Sequence, residues 1–119
     1  MKKILIVDDE PDITFIWREA LQEDSCLVDT FNDPLLALSN FKVNYYDLVL
    51  LDIRMPKMDG FELYQQLRKK DYNIKVCFVT AFEVYQDQFG QLSKYKLQRF
   101  IRKPIEIEEL KRLVHNITQ

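Results

Sequence analysis

Glycine is scarce in this chain. Only Gly60 and Gly90 occur in 119 residues, thirty positions apart. Loops that cradle phosphates with backbone amides need several closely spaced glycines, so both GxGxxG and GxxxxGK[ST] loops are excluded. Histidine is scarcer still. His115 alone cannot build a multi-histidine zinc site, and it is the only candidate for any Ser-His-Asp or Cys-His arrangement. The two cysteines, Cys26 and Cys77, are too few and too far apart for a disulfide framework or a CxxC site. They read as small buried hydrophobes in a reducing compartment. No excess of one charge is present either. Lys+Arg is 17 and Asp+Glu is 19, a formal net charge of −2, which gives no basic footprint for direct nucleic-acid binding. Long apolar runs are also missing. The first run, residues 4–7, ends at Asp8-Asp9-Glu10. A secretory signal needs ~7–15 apolar residues, and a membrane span about 18. The expectation is a soluble cytoplasmic chain forming one domain over residues 1–119, with no membrane contact.

What is present is an alternation. Short apolar runs at residues 4–7, 27–31, 48–51, 74–79 and 97–101 are rich in Val, Ile, Leu and Phe and predict strands. The first and third are apolar throughout and the fourth is broken only by Lys75, as suits central strands covered on both faces. The second and fifth carry polar residues and predict sheet edges. Between the runs, apolar residues recur at helical spacing. Ile13, Ile16, Trp17, Ala20 and Leu21 form one stripe, with Trp17 in the core. Ala37, Leu38 and Phe41 mark a second helix, and Phe61, Tyr64 and Leu67 a third. Phe82, Tyr85, Phe89 and Leu92 mark a fourth, and Ile107, Leu110, Leu113, Val114 and Ile117 a fifth. Pro11 and Pro34 open helices after Glu10 and Asp33, and Asp59 is the expected cap of the third helix. Five strands alternating with five helices predict an α/β fold, a (βα)5 doubly wound parallel sheet. Its chemistry belongs at the carboxyl ends of the strands.

Read in order, those ends carry Asp8-Asp9, Asp52, Thr80 and Lys103. Converging carboxylates raise one another's pKa, and a hard divalent cation resolves the conflict. Oxygen donors in this number suit Mg²⁺ or Mn²⁺ and match zinc poorly. A lysine and a hydroxyl suit phosphoryl oxygens. A carboxylate in such a place can itself accept a phosphoryl group.

These residues resemble the receiver domain of two-component response regulators. The resemblance rests on Ile4-Leu5-Ile6-Val7-Asp8-Asp9-Glu10-Pro11, Leu50-Leu51-Asp52-Ile53-Arg54-Met55-Pro56 with Gly60, Val79-Thr80-Ala81, and Arg102-Lys103-Pro104. It runs the length of the chain, in order. It implies the flavodoxin-like strand order 2-1-3-4-5. It further implies that Asp52 is the phosphoacceptor, supplied by a sensor histidine kinase or a phosphotransfer protein. Asp8, Asp9, Asp52 and the backbone carbonyl of Arg54 would hold Mg²⁺, with Mn²⁺ as a substitute. Thr80 and Lys103 would bind the phosphoryl oxygens, Phe100 would turn inward as the switch, and the Lys103–Pro104 bond would be cis. The output surface would span residues 83–119. It would serve a downstream protein, an output domain or a homodimer. Autodephosphorylation at Asp52 belongs to the same pattern. Arg54 and Phe82 occupy family positions that tune phosphoryl lifetime. The glycine that family members often carry before the last strand is absent from Ser93-Lys94-Tyr95-Lys96, and Gly90 would end the fourth helix early.

Each residue has a plainer reading alone. Asp8, Asp9, Glu10 and Asp12 could be a solvated helix start. Asp52 could be a loop acid, Thr80 a strand-end residue and Lys103 a surface lysine. Phe100 could simply pack, and His115 suits the last turn of a helix without any catalytic role. Three other functions compete. A haloacid-dehalogenase-type phosphatase needs an Asp two residues after the nucleophile, where this chain has Arg54. A flavodoxin needs a hydroxyl- and glycine-rich loop where this chain has Asp8-Asp9-Glu10. A pseudo-receiver would lack some of the five key residues, and all five are present.

Overall fold

Each central strand alternates its side chains between two apolar layers. The computed structural model describes residues 1–81 and 100–119. Its strands are β1 (Lys3–Val7), β2 (Leu27–Phe31), β3 (Leu48–Asp52), β4 (Val76–Ala81) and β5 (Phe100–Lys103). All pair in parallel, in the order β2-β1-β3-β4-β5. The described helices are α1 (Pro11–Glu23), α2 (Pro34–Ser39), α3 (Gly60–Lys70) and, at the C-terminus, α4 (Ile107–Ile117). The doubly wound parallel sheet and the edge positions of β2 and β5 are as the sequence predicts.

On one face, Ile4 and Ile6, Leu48 and Leu50, and Cys77 and Val79 meet Trp17 and Leu21 of α1 and Leu110 and Val114 of α4. On the other, Leu5 and Val7, Val49 and Leu51, and Val76 and Phe78 meet Ala37 of α2 and Phe61, Leu63 and Leu67 of α3. The period-2 alternation of the strands thus feeds both layers. Each fully buried Leu or Ile contributes about 1.5–3 kcal/mol relative to exposure. Trp17, Cys26 and Cys77 are buried as expected, both cysteines as free thiols.

Several local expectations are corrected. Ile16, assigned to the buried stripe of α1, is 47% exposed, and Thr14 is buried instead. Thr14 can be buried because its hydroxyl donates to the Pro11 carbonyl and accepts from the Asn32 amide. Phe41 lies beyond α2, which stops at Ser39 with Asn40 as C-cap, yet it still packs against the core. β4 begins two residues later than the apolar run suggested and extends through Ala81. Thr80 therefore sits inside the strand rather than past it. The fourth helix, Gly90, Phe82 and the stretch 93–96 lie outside the described residues, as do Leu97, Gln98 and Arg99 of the fifth apolar run. Most of the surface assigned to residues 83–119 lies there too; β5 and α4 are its described parts.

Candidate functional site

The parallel sheet brings the ends of β1, β3 and β5 to one rim. Asp8 follows β1 directly, and its N–H continues the ladder by donating to the Phe31 carbonyl at 3.1 Å. Its Oδ1 accepts from the Glu10 N–H at 2.9 Å, which pins the turn into α1. Asn32 braces the same turn by donating to the Asp8 carbonyl at 2.8 Å. Asp52 is the last residue of β3 and is 6% exposed. Gly60 lets α3 approach it: a Cβ there would sit 2.3 Å from the Asp52 carbonyl oxygen. Its N–H donates to the Ile53 carbonyl at 2.8 Å. The Asp59 side chain caps α3 in a reciprocal capping box with Glu62, so the helix starts at a fixed point beside the rim.

Ligand oxygens of Asp8, Asp9, Glu10 and Asp52 fall within 4.8 Å of one another. Lys103, ending β5, brings its ammonium among them. Nζ lies 2.8 Å from Asp8 Oδ2, 2.8 Å from Glu10 Oε1 and 3.9 Å from Asp52 Oδ2. One ammonium does not balance four carboxylates. Burial, and then the neighbouring Asp8 charge, push Asp52 up to about 8, with Asp9 adding and Lys103 opposing. Asp8 is also raised, by burial, against the pull of Lys103 and the Glu10 N–H. Burial opposes the charge on Lys103, but the surrounding carboxylates prevail and hold its pKa above the usual lysine value. The Asp8–Lys103 contact is an ion pair off hydrogen-bond geometry, so buried Asp8 Oδ2 has no aligned donor among the described residues. A crowded set of hard oxygen donors, one of them buried with only an ion pair and no aligned hydrogen-bond donor, fits a small divalent cation.

The remaining expected residues are placed as follows. Thr80 is fully buried, and its hydroxyl donates to the Ala81 carbonyl at 3.0 Å. Phe100 is half-buried opposite Phe78 and packs on the α3 side of the sheet. Arg54 is exposed and lines a cavity of about 430 Å³ with Asp9, Ile53, Met55, Pro56 and Asp59. The Lys103–Pro104 bond is cis. His115 lies exposed in the last turn of α4, beside Gln119. Sequence reasoning missed two residues. Asn32 was signalled only by the Asn-Asp-Pro turn into α2, and Glu10 only by its adjacency to Asp8-Asp9.

The family model described as the response regulator receiver domain matches residues 4–115, and the chain belongs to this family. The transcriptional regulatory protein RprY of Bacteroides fragilis is 33% identical over 108 residues, which is 91% of this chain and 45% of that protein. The chain thus spans under half the length of such curated relatives. The response regulator TrrA of Thermotoga maritima, solved in complex with Mg²⁺-BeF, is 37% identical with a TM-score of 0.82, covering 98% of this chain and 99% of that one. A second structure holds TrrA in complex with the histidine kinase ThkA, at 36% identity and a TM-score of 0.82 over 100% of both chains. Among the described residues, no helix is long and apolar enough to cross a membrane.

Proposed function

We propose that this receiver domain accepts a phosphoryl group on Asp52 from the phosphohistidine of a sensor histidine kinase or phosphotransfer protein. The supporting observation is the buried Asp52 carboxylate, clustered with Asp8 and Asp9 and facing Lys103. Asp8, Asp9, Asp52 and the Arg54 carbonyl would hold Mg²⁺, for which Mn²⁺ offers similar oxygen coordination. When bound, the ion neutralises the carboxylates and the phosphoryl oxygens. An Asp52 carboxylate oxygen forms the bond to phosphorus, the phosphorus–nitrogen bond breaks, and the electron pair leaves with the donor imidazole. The Lys103 ammonium neutralises an equatorial oxygen. The Thr80 hydroxyl exchanges the Ala81 carbonyl for a phosphoryl oxygen, and Phe100 turns inward to follow it. In autodephosphorylation a water oxygen forms a bond to phosphorus, the bond from Asp52 to phosphorus breaks, and inorganic phosphate leaves with the carboxylate restored.

Arg54 in place of an aspartate argues against a dehalogenase-type phosphatase, and the acidic turn after β1 argues against flavin phosphate. The kinase complex of TrrA supports a kinase donor for this chain. The transcriptional role of RprY supports an output domain or downstream protein as the recipient of the signal. On this reading residues 1–119 form one receiver domain, and a homodimer through residues 83–119 is one form the output can take. The test is the intact mass after incubation with phosphoramidate and Mg²⁺. The expected result is a single phosphoryl adduct, absent in Asp52→Asn. An adduct persisting in the variant, or none in the wild type, rejects the proposal.

A further inference from the structure

We infer that Glu10 is a positioning residue that holds the Lys103 ammonium off Asp52, so that a phosphoryl group must displace this contact; the inference rests on the phosphoacceptor reading of Asp52. Glu10 occupies the N-cap of α1 with extended backbone, yet its side chain makes no cap hydrogen bond. Short acceptors such as Asp, Asn and Ser fold back to cap a helix. The longer Glu side chain reaches outward instead and meets Lys103 Nζ at 2.8 Å. The backbone beneath is fixed, because the Glu10 N–H donates to Asp8 Oδ1.

The lysine is therefore held from two sides. The Lys103 side chain is only 13% exposed, whereas that of Glu10 is 60% exposed and covers it from the solvent side. With Asp8 and Glu10 both at 2.8 Å, Asp52 remains at 3.9 Å, beyond hydrogen-bond reach. A phosphoryl oxygen on Asp52 needs that ammonium as a close partner. The Asp8 contact is buried, whereas the Glu10 contact is made by a side chain that is largely exposed. Glu10 and the phosphoryl group thus compete for one cation. Loosening an ion pair with one exposed partner changes an equilibrium by about two- to five-fold.

Two variants separate this role from simple charge. Glu10→Gln removes the charge. Glu10→Asp keeps it but is one methylene shorter and loses its reach to Lys103. The probe is beryllium fluoride at saturating Mg²⁺, with affinity read by calorimetry. Both variants are expected to bind it about two- to five-fold more tightly than wild type. In the metal-free protein, the ε-carbon resonance of Lys103 is expected to move in both. Mg²⁺ affinity alone is expected to fall in Glu10→Gln and hold in Glu10→Asp. Beryllium fluoride affinity in Glu10→Asp equal to wild type, or weaker binding in both variants, overturns the inference while leaving the phosphoacceptor reading intact. A wild type that binds no beryllium fluoride rejects that reading, and the inference with it.

Discussion

Asp52 carries a cost before any ligand arrives. Its carboxylate is buried beside Asp8, and its pKa is pushed up from 3.8 to about 8. In the unfolded chain the same group ionises near its ordinary value. Between these two values the unfolded state binds fewer protons than the folded one, so stability falls as pH rises through that window. Below about pH 4 both states are protonated and the penalty is absent. Asp52→Asn is therefore expected to stabilise the metal-free protein at pH 8 by roughly 1–3 kcal/mol. The gain should shrink toward pH 4, as read by urea unfolding at a series of pH values. A variant less stable than wild type at pH 8 contradicts this account. The acids and Lys103 were legible in the sequence because each follows an apolar run. The pairing of Glu10 with Lys103 was not legible. It spans 93 positions and depends on the direction of one long side chain.

At the scale of elements, the loop from β3 into α3 sets the geometry of the site. Asp59→Ala removes the capping box and is expected to cost about 1 kcal/mol of stability with little effect on metal binding. Gly60→Ala is expected to act more severely. Its Cβ would meet the Asp52 carbonyl, so α3 or the end of β3 must shift. Mg²⁺ affinity by calorimetry should then fall along with the unfolding midpoint. A Gly60→Ala protein with unchanged affinity and stability would show that the loop relaxes freely. The first four strands were legible to within two residues, since strand residues of a buried sheet gather into short apolar runs. The errors in the helices have local causes. Ile16 was misassigned because a hydrogen-bonded Thr14 took its inward place. Phe41 was misassigned because helical spacing alone does not distinguish a helix from the turn that follows it. The early end of α2 is marked by Asn40, whose N–H and side-chain amide both donate to the Leu36 carbonyl.

At the scale of the whole molecule, two apolar layers on one parallel sheet leave a polar rim where like charges are forced together. Any group that binds the folded rim and not the unfolded chain stabilises the entire fold. Mg²⁺ at about 100 times its dissociation constant is expected to add about 2.7 kcal/mol to the unfolding free energy. Asp8→Asn should lose most of that increment, measured as the shift in the urea midpoint on adding Mg²⁺. An increment of equal size in the variant would remove Asp8 from the metal site.

Trp17 is the chain's one tryptophan, and it lines a cavity of about 440 Å³ with Glu10, Ala81, Lys103 and Pro104. Its indole is packed in the core on one side and faces that cavity on the other. The molecule therefore contains its own optical reporter. Rearrangement of the lysine beside the cavity alters the field around a single indole, and the emission can be followed in real time without a label.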